Sequence, residues 1–130
     1  VGAHLAGMET EVIGVSPDDP SAGIEAEVAK IARGVTELLE LDDGEIGQVP
    51  RVLDQFVGPG YGLDSAESMA AIKLLARVEG ILLDPVYTAK AMVALLAWIN
   101  DGRLTERDSV LFWHTGGQLA FFGMDGTQVS

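Results

Sequence analysis

At 130 residues and 48% hydrophobic content, the chain fits one ordinary domain, is long enough to bury a core, and is not a disordered segment. Its formal charge of −12, from 8 Lys and Arg against 20 Asp and Glu, excludes the phosphate-driven recognition of nucleic acid. The absence of cysteine excludes disulfides and thiolate metal sites, two separated histidines are too few for a metal centre, and no apolar run approaches the roughly 20 residues of a membrane helix.

The chain opens Val1-Gly2-Ala3-His4 in sequence that reads as already helical, with no initiator Met, and is expected to be a piece of something larger. Val12 to Val15 is a short β-branched run halted by Ser16-Pro17-Asp18-Asp19-Pro20, which predicts a strand and then a loop. From Ser21 to Glu40, Ile24, Val28, Ile31, Val35 and Leu38 recur every three or four positions and predict one buried helical face. The acidic residues Glu25, Glu27, Glu37, Glu40, Asp42 and Asp43 read as a solvated face of that helix. Val49 to Val57 predicts a second strand, running into Gly58-Pro59-Gly60-Tyr61-Gly62, a loop too rich in Gly and Pro to be regular structure.

Asp64-Ser65-Ala66-Glu67 has the pattern of a helix N-cap followed by an acidic residue at the third position. Met69, Ile72, Leu75 and Val78 continue that helix, and Gly80 stops it. Ile81 to Leu83 predicts a brief extended segment ended by Asp84-Pro85. A helix follows from about Val86 to Asn100, with Met92, Leu95, Leu96 and Ile99 inward. Val110 to Trp113 predicts a last strand, and His114-Thr115-Gly116-Gly117 turns it into a short helix through Phe122.

Strand and helix alternate throughout, and the strands are continuously apolar. That pattern predicts an α/β fold: a mostly parallel sheet with helices on both faces, in a single domain spanning 1–130. Ligands of such sheets sit at the carboxyl ends of the strands. Three loops expected there hold nearly all the unusual residues. Thr115-Gly116-Gly117 offers backbone N–H groups to an anion or flat ring, or merely turns the chain. Tyr61 is either a lid over the sheet end or a phenol able to act as acid or base. Tyr87 and Thr88 add two more hydroxyls at the same end. Lys90 invites a Schiff-base reading, but nothing in its neighbourhood ensures the desolvation a neutral amine needs. His114 is a proton shuttle or a strand-end histidine bonded to backbone.

Taken together, GPGYG (58–62), LLARVEGILLDPVYTAKAM (74–92) and VLFWHTGGQLAFF (110–122) resemble the carboxyl-terminal portion of the D-cysteine desulfhydrase and 1-aminocyclopropane-1-carboxylate deaminase family. METEVIGVS (8–16) resembles the strand after that family's phosphate-loop helix. The resemblance implies a tryptophan-synthase β-like fold and pyridoxal 5'-phosphate as cofactor, bound through a Schiff-base lysine that lies upstream of the segment seen here. It assigns Tyr61 and Tyr87 to two active-site tyrosines and Thr88 to the position facing the pyridine nitrogen. Thr115, Gly116 and Gly117 fall in the cofactor-binding turn.

At position 88 the deaminases carry a glutamate and the desulfhydrases a serine or threonine. Position 115 is leucine in the former and threonine in the latter, so Thr88 and Thr115 both point to a desulfhydrase. The activity so implied is α,β-elimination of D-cysteine to pyruvate, sulfide and ammonia, by a cytoplasmic homodimer acting on a small amino acid. The alternatives are a 1-aminocyclopropane-1-carboxylate deaminase, an L-cysteate sulfo-lyase and, from another class, a non-catalytic α/β module binding an anion or nucleotide. No metal, membrane or nucleic-acid partner is expected. Ala89 replaces a usual glycine, and Gln118-Leu119 replaces a usual Ala-Pro pair. Lys90 matches a family lysine that is not the cofactor lysine.

Overall fold

A computed structural model describes residues 1–117 and 119, with Asp43 described by its backbone alone. Of the predicted final helix through Phe122, residues 118 and 120–122 lie outside the described residues. The chain divides into two compact units, Val1–Asp54 and Gln55–Ser130. No helix among the described residues is long and apolar enough to cross a membrane.

The first unit holds a short helix α1 (Gly2–Leu5), strand β1 (Ile13–Val15), helix α2 (Ser21–Leu38), a 3-10 turn at Asp43–Ile46 and strand β2 (Arg51–Leu53). The two strands pair in parallel, with Ile13 opposite Arg51, Gly14 opposite Val52 and Val15 opposite Leu53. This is the α/β arrangement with parallel pairing that the alternation predicts, and α2 is the crossover that parallel neighbours require. Both strands are shorter than predicted: β2 covers only 51–53 of 49–57.

Residues distant in sequence set the start of α2. Its N-cap, Pro20, has no side-chain hydrogen bond to give, and the Ser21 N–H instead donates to Asp54 Oδ2 at 2.8 Å. That bond holds the Asp54 carboxyl below its ordinary value. One turn on, Glu25 accepts from the Val52 N–H at 2.8 Å and satisfies a β2 amide, so it is not simply part of a solvated face. Glu27 does lie on the surface, paired with Lys30.

The inward face of α2 also differs from the periodic one. Beyond Ser21 and Glu25, the sheltered positions are Ile24, Val28, Ala29, Ala32 and Thr36, whereas Ile31 and Leu38 stay 58% and 83% exposed. Alanine and threonine are small, so that stripe permits close approach. Thr36 is buried with its hydroxyl donated back to the Arg33 carbonyl at 2.8 Å, which removes the cost of burying a polar group.

In the second unit, helices α3 (Ala66–Val78) and α4 (Thr88–Asn100) pack together. The cap of α3 is Ser65, whose Oγ accepts from the Ser68 N–H at 3.1 Å, so the start lies one residue later than the Asp64 pattern suggests. Gly80, with φ +67°, follows the C-cap as predicted. Ala71, Ile72, Leu83, Ala89 and Met92 form the core, with Met69, Leu75, Leu95, Leu96 and Phe112 against it.

Neither Ile81 to Leu83 nor Val110 to Trp113 belongs to a strand ladder among the described residues. Leu83 is fully buried, but Leu82, Leu111 and Trp113 are exposed. The Leu82 carbonyl accepts from the His114 ring at 3.0 Å, taking from a side chain the bond that a ladder would supply.

Candidate active site

The site of the second unit is organised by Asp84. Leu83, with no exposed surface, anchors the chain in the core, and Pro85 contributes no N–H to the turn that follows. Four amides at the start of α4 then need acceptors, and Asp84 supplies all of them. Its Oδ1 accepts from Val86 N at 2.9 Å and Tyr87 N at 2.7 Å. Its Oδ2 accepts from Thr88 N at 2.9 Å, and its main-chain carbonyl accepts from Ala89 N at 2.9 Å. Oδ2 also takes the Thr88 hydroxyl at 2.5 Å, while Thr88 Oγ1 itself accepts from Asp84 N at 2.8 Å.

Asp84 has no exposed surface and Thr88 only 2%. Burial opposes the charge of Asp84, but the donors of Thr88, Tyr87 and Val86 outweigh it and hold the carboxyl below its ordinary value of 3.8. The pair is therefore an ionised carboxylate with a hydroxyl locked against it. Nothing in the sequence reading singled out Asp84, which figured only as part of a strand terminator. The available signal is the hydroxyl residue four positions after an Asp-Pro, the spacing at which an Asp side chain reaches back to a helix start.

Tyr87 closes the turn and is 47% exposed; Tyr61 is 56% exposed. Their rings meet edge to face, with centroids 6.1 Å apart and planes at 70°, and their phenol oxygens lie 2.5 Å apart. One proton fills that gap, which leaves the pair a second phenolic proton to present outward. The hydrogen bond to Tyr61, with the smaller effects of burial and of the nearby charges of Tyr61 and Asp84, raises Tyr87 above its ordinary value of 10.0. Tyr87 thus keeps its proton more firmly than a free phenol.

Tyr61 is presented by a loop in which Gly58, Gly60 and Gly62 have φ of +71°, +145° and +69°, conformations that side chains rarely adopt. Lys90 fixes that loop from behind. It is 1% exposed, and its Nζ donates to the Gly60 carbonyl at 2.9 Å. Its Nζ thereby holds the Tyr61 loop, and the side chain is buried although nothing in its sequence neighbourhood ensured desolvation.

The third loop reaches the same place. His114 Nε2 must donate to the Leu82 carbonyl, and its Nδ1 accepts from Gly116 N at 3.1 Å, so both ring nitrogens are spent on backbone. His114 is a brace and not a proton shuttle. Gly117 lies so close to Asp84 that an added Cβ would fall 2.6 Å from its Cγ. Thr115, two residues earlier, is exposed. The structure thus brings Tyr61 to Tyr87, Thr88 to Asp84 and the 115–117 turn to Asp84. Ala89 is fully buried in the core, so its methyl fills the interior and not the open side of the site. Gln118 lies outside the described residues, and Leu119 is exposed. No cluster of potential metal ligands occurs among the described residues.

Residues 1–116 match the sequence model of the pyridoxal-phosphate dependent enzymes. A solved crystal structure of an ACC deaminase homologue superimposes with a TM-score of 0.77 at 28% identity, over 89% of this chain and 34% of that one. The chain therefore spans about a third of the length of the protein it matches.

Proposed function

The chain belongs to the pyridoxal-phosphate dependent enzyme family, and we propose that it forms the tyrosine- and threonine-bearing wall of a lyase that eliminates sulfide from D-cysteine. The products are pyruvate, sulfide and ammonia, with one water consumed. The single observation that carries this reading is the meeting of the three hydroxyl- and glycine-bearing loops around Asp84.

The residues present fit one edge of the cofactor. Thr88 offers a hydroxyl at the start of α4, the tyrosine pair offers two flat faces, and the 116–117 turn presents backbone without side chains. Pyridoxal phosphate, when bound, supplies an electron sink that makes the α-proton of an amino acid labile. Thr88 would meet the ring nitrogen, and Thr115 with Gly116 and Gly117 would line the adjoining edge. The outward phenolic proton of the Tyr61–Tyr87 pair, the one not shared between the two oxygens, is the one available to a departing thiolate. Lys90 keeps Tyr61 in reach by holding Gly60.

The threonines at 88 and 115 favour the desulfhydrase reading, because the resemblance gives glutamate and leucine at those positions in the deaminases. A second reading, the cyclopropane deaminase, draws on the likeness to the ACC deaminase homologue. The complete enzyme is proposed to act as a cytoplasmic homodimer. Assay of the complete protein against D-cysteine, L-cysteine, L-cysteate and aminocyclopropane carboxylate separates the readings. Thr88→Glu combined with Thr115→Leu should weaken sulfide release from D-cysteine, and unchanged release would refute the assignment of those two positions.

A further inference from the structure

We infer that Asp84 commits Thr88 to the role of hydrogen-bond acceptor, so that the cofactor's ring nitrogen is bound in its protonated form. The inference rests on the proposed placement of Thr88 against that nitrogen and deepens it. A threonine hydroxyl has one proton and two lone pairs, and it ordinarily rotates to suit its partner. Here both acceptors of its proton among the described residues belong to Asp84, the main-chain carbonyl being the more distant at 3.4 Å. The Thr88 proton has an ionised acceptor at 2.5 Å in Asp84 Oδ2, and one lone pair receives Asp84 N at 2.8 Å.

What remains to Thr88 is a single lone pair. Such an oxygen cannot donate to an unprotonated pyridine nitrogen; it can only accept from an N–H. A serine or threonine without the carboxylate behind it would be free to do either. Position 88 is therefore not equivalent to an isolated hydroxyl. It behaves as a charge-backed acceptor, closer to the glutamate it replaces than its side chain suggests.

Charge balance points the same way. Asp84 has no exposed surface, and no ion pair to it occurs among the described residues. Its charge is met by backbone N–H groups at the start of α4 and by the Thr88 hydroxyl, which are partial charges only. A cationic ring nitrogen one hydroxyl away would supply the missing positive charge. The carboxyl is held below its ordinary value, so it stays ionised and does not reclaim a proton from the ring.

The test uses the complete holoprotein loaded with pyridoxal phosphate carrying 15N in the ring, read by nitrogen NMR and without substrate. Wild type should show the protonated-nitrogen resonance throughout neutral pH. Thr88→Ser should keep it, and Thr88→Val and Asp84→Asn should lose it. Asp84 also organises the start of α4, so if Asp84→Asn fails to fold, the wild-type spectrum and the two Thr88 variants still decide. An unprotonated resonance in wild type that Thr88→Val displaces would overturn the inference while leaving Thr88 at the ring. A resonance unmoved by Thr88→Val would overturn the placement of Thr88 and the inference with it.

Discussion

Two glycine substitutions isolate the contact that joins the 115–117 turn to Asp84. Gly117 and Gly62 both have positive φ, +93° and +69°, so an alanine at either is strained by about 1–3 kcal/mol. They differ in surroundings. A Cβ at Gly62 would meet nothing within 4 Å, whereas one at Gly117 would lie 2.6 Å from Asp84 Cγ, 2.7 Å from Oδ2 and 2.8 Å from Cβ. Asp84 cannot swing aside, because three backbone N–H groups and the Thr88 hydroxyl grip its carboxylate.

Overpacking of that kind adds about 1–3 kcal/mol. Gly62→Ala should therefore cost only the strain, and Gly117→Ala that strain plus the clash. Urea unfolding of the complete protein measures both, and amide exchange of Val86 to Thr88 shows whether the Gly117 variant loosens the α4 start. Equal costs, with unchanged exchange at 86–88, would refute the argument that the turn is seated on Asp84.

Three other outcomes follow from the same geometry. Ser65→Ala should cost about 1 kcal/mol in urea unfolding, because it removes the acceptor for Ser68 N at the α3 cap. Asp84 is held below 3.8 in the fold, so its contribution is complete above that value and is lost as pH falls through the lower folded one. The stability gap between wild type and Asp84→Asn should accordingly narrow only in acid below 3.8, which urea melts along a pH series would show. Tyr61→Phe should bring the ionisation of Tyr87 down toward 10.0 in an ultraviolet titration, since the bond to Tyr61 is the largest cause of its rise.

How far the sequence carries depends on which force each residue answers to. The spacing of Met69, Ile72 and Leu75, and of Met92, Leu95 and Leu96, marked α3 and α4 because large apolar side chains pack there. On α2 the same rule chose Ile31, Val35 and Leu38, while the sheltered stripe runs through Ala29, Ala32 and Thr36. Small residues carry little hydrophobic signal, yet they permit the closest approach. The runs 81–83 and 110–113 are as apolar as β1, but a strand needs a partner as well as a composition, and partners are not encoded in the run itself. In the site, the hydroxyls and glycines stood out as residues a plain loop does not require. Asp84 did not, because its role lies in bonds made to residues two to five positions ahead.

The start of α2 has a bearing on how the first unit folds. Ser21 N is received by Asp54, 33 residues further on, and Val52 N by Glu25, 27 residues back. Neither bond can exist until the β2 segment lies beside the first turns of α2. An isolated 21–38 peptide would lack its first acceptor and the packing of one face from which most helical stability in proteins comes. Helix and strand pair should therefore form in one cooperative step, with the crossover loop closed before the helix end is secured. Replacing Asp54 by alanine would then slow the docking of β2 as well as fraying α2, which ties the rate of one element to a side chain on another.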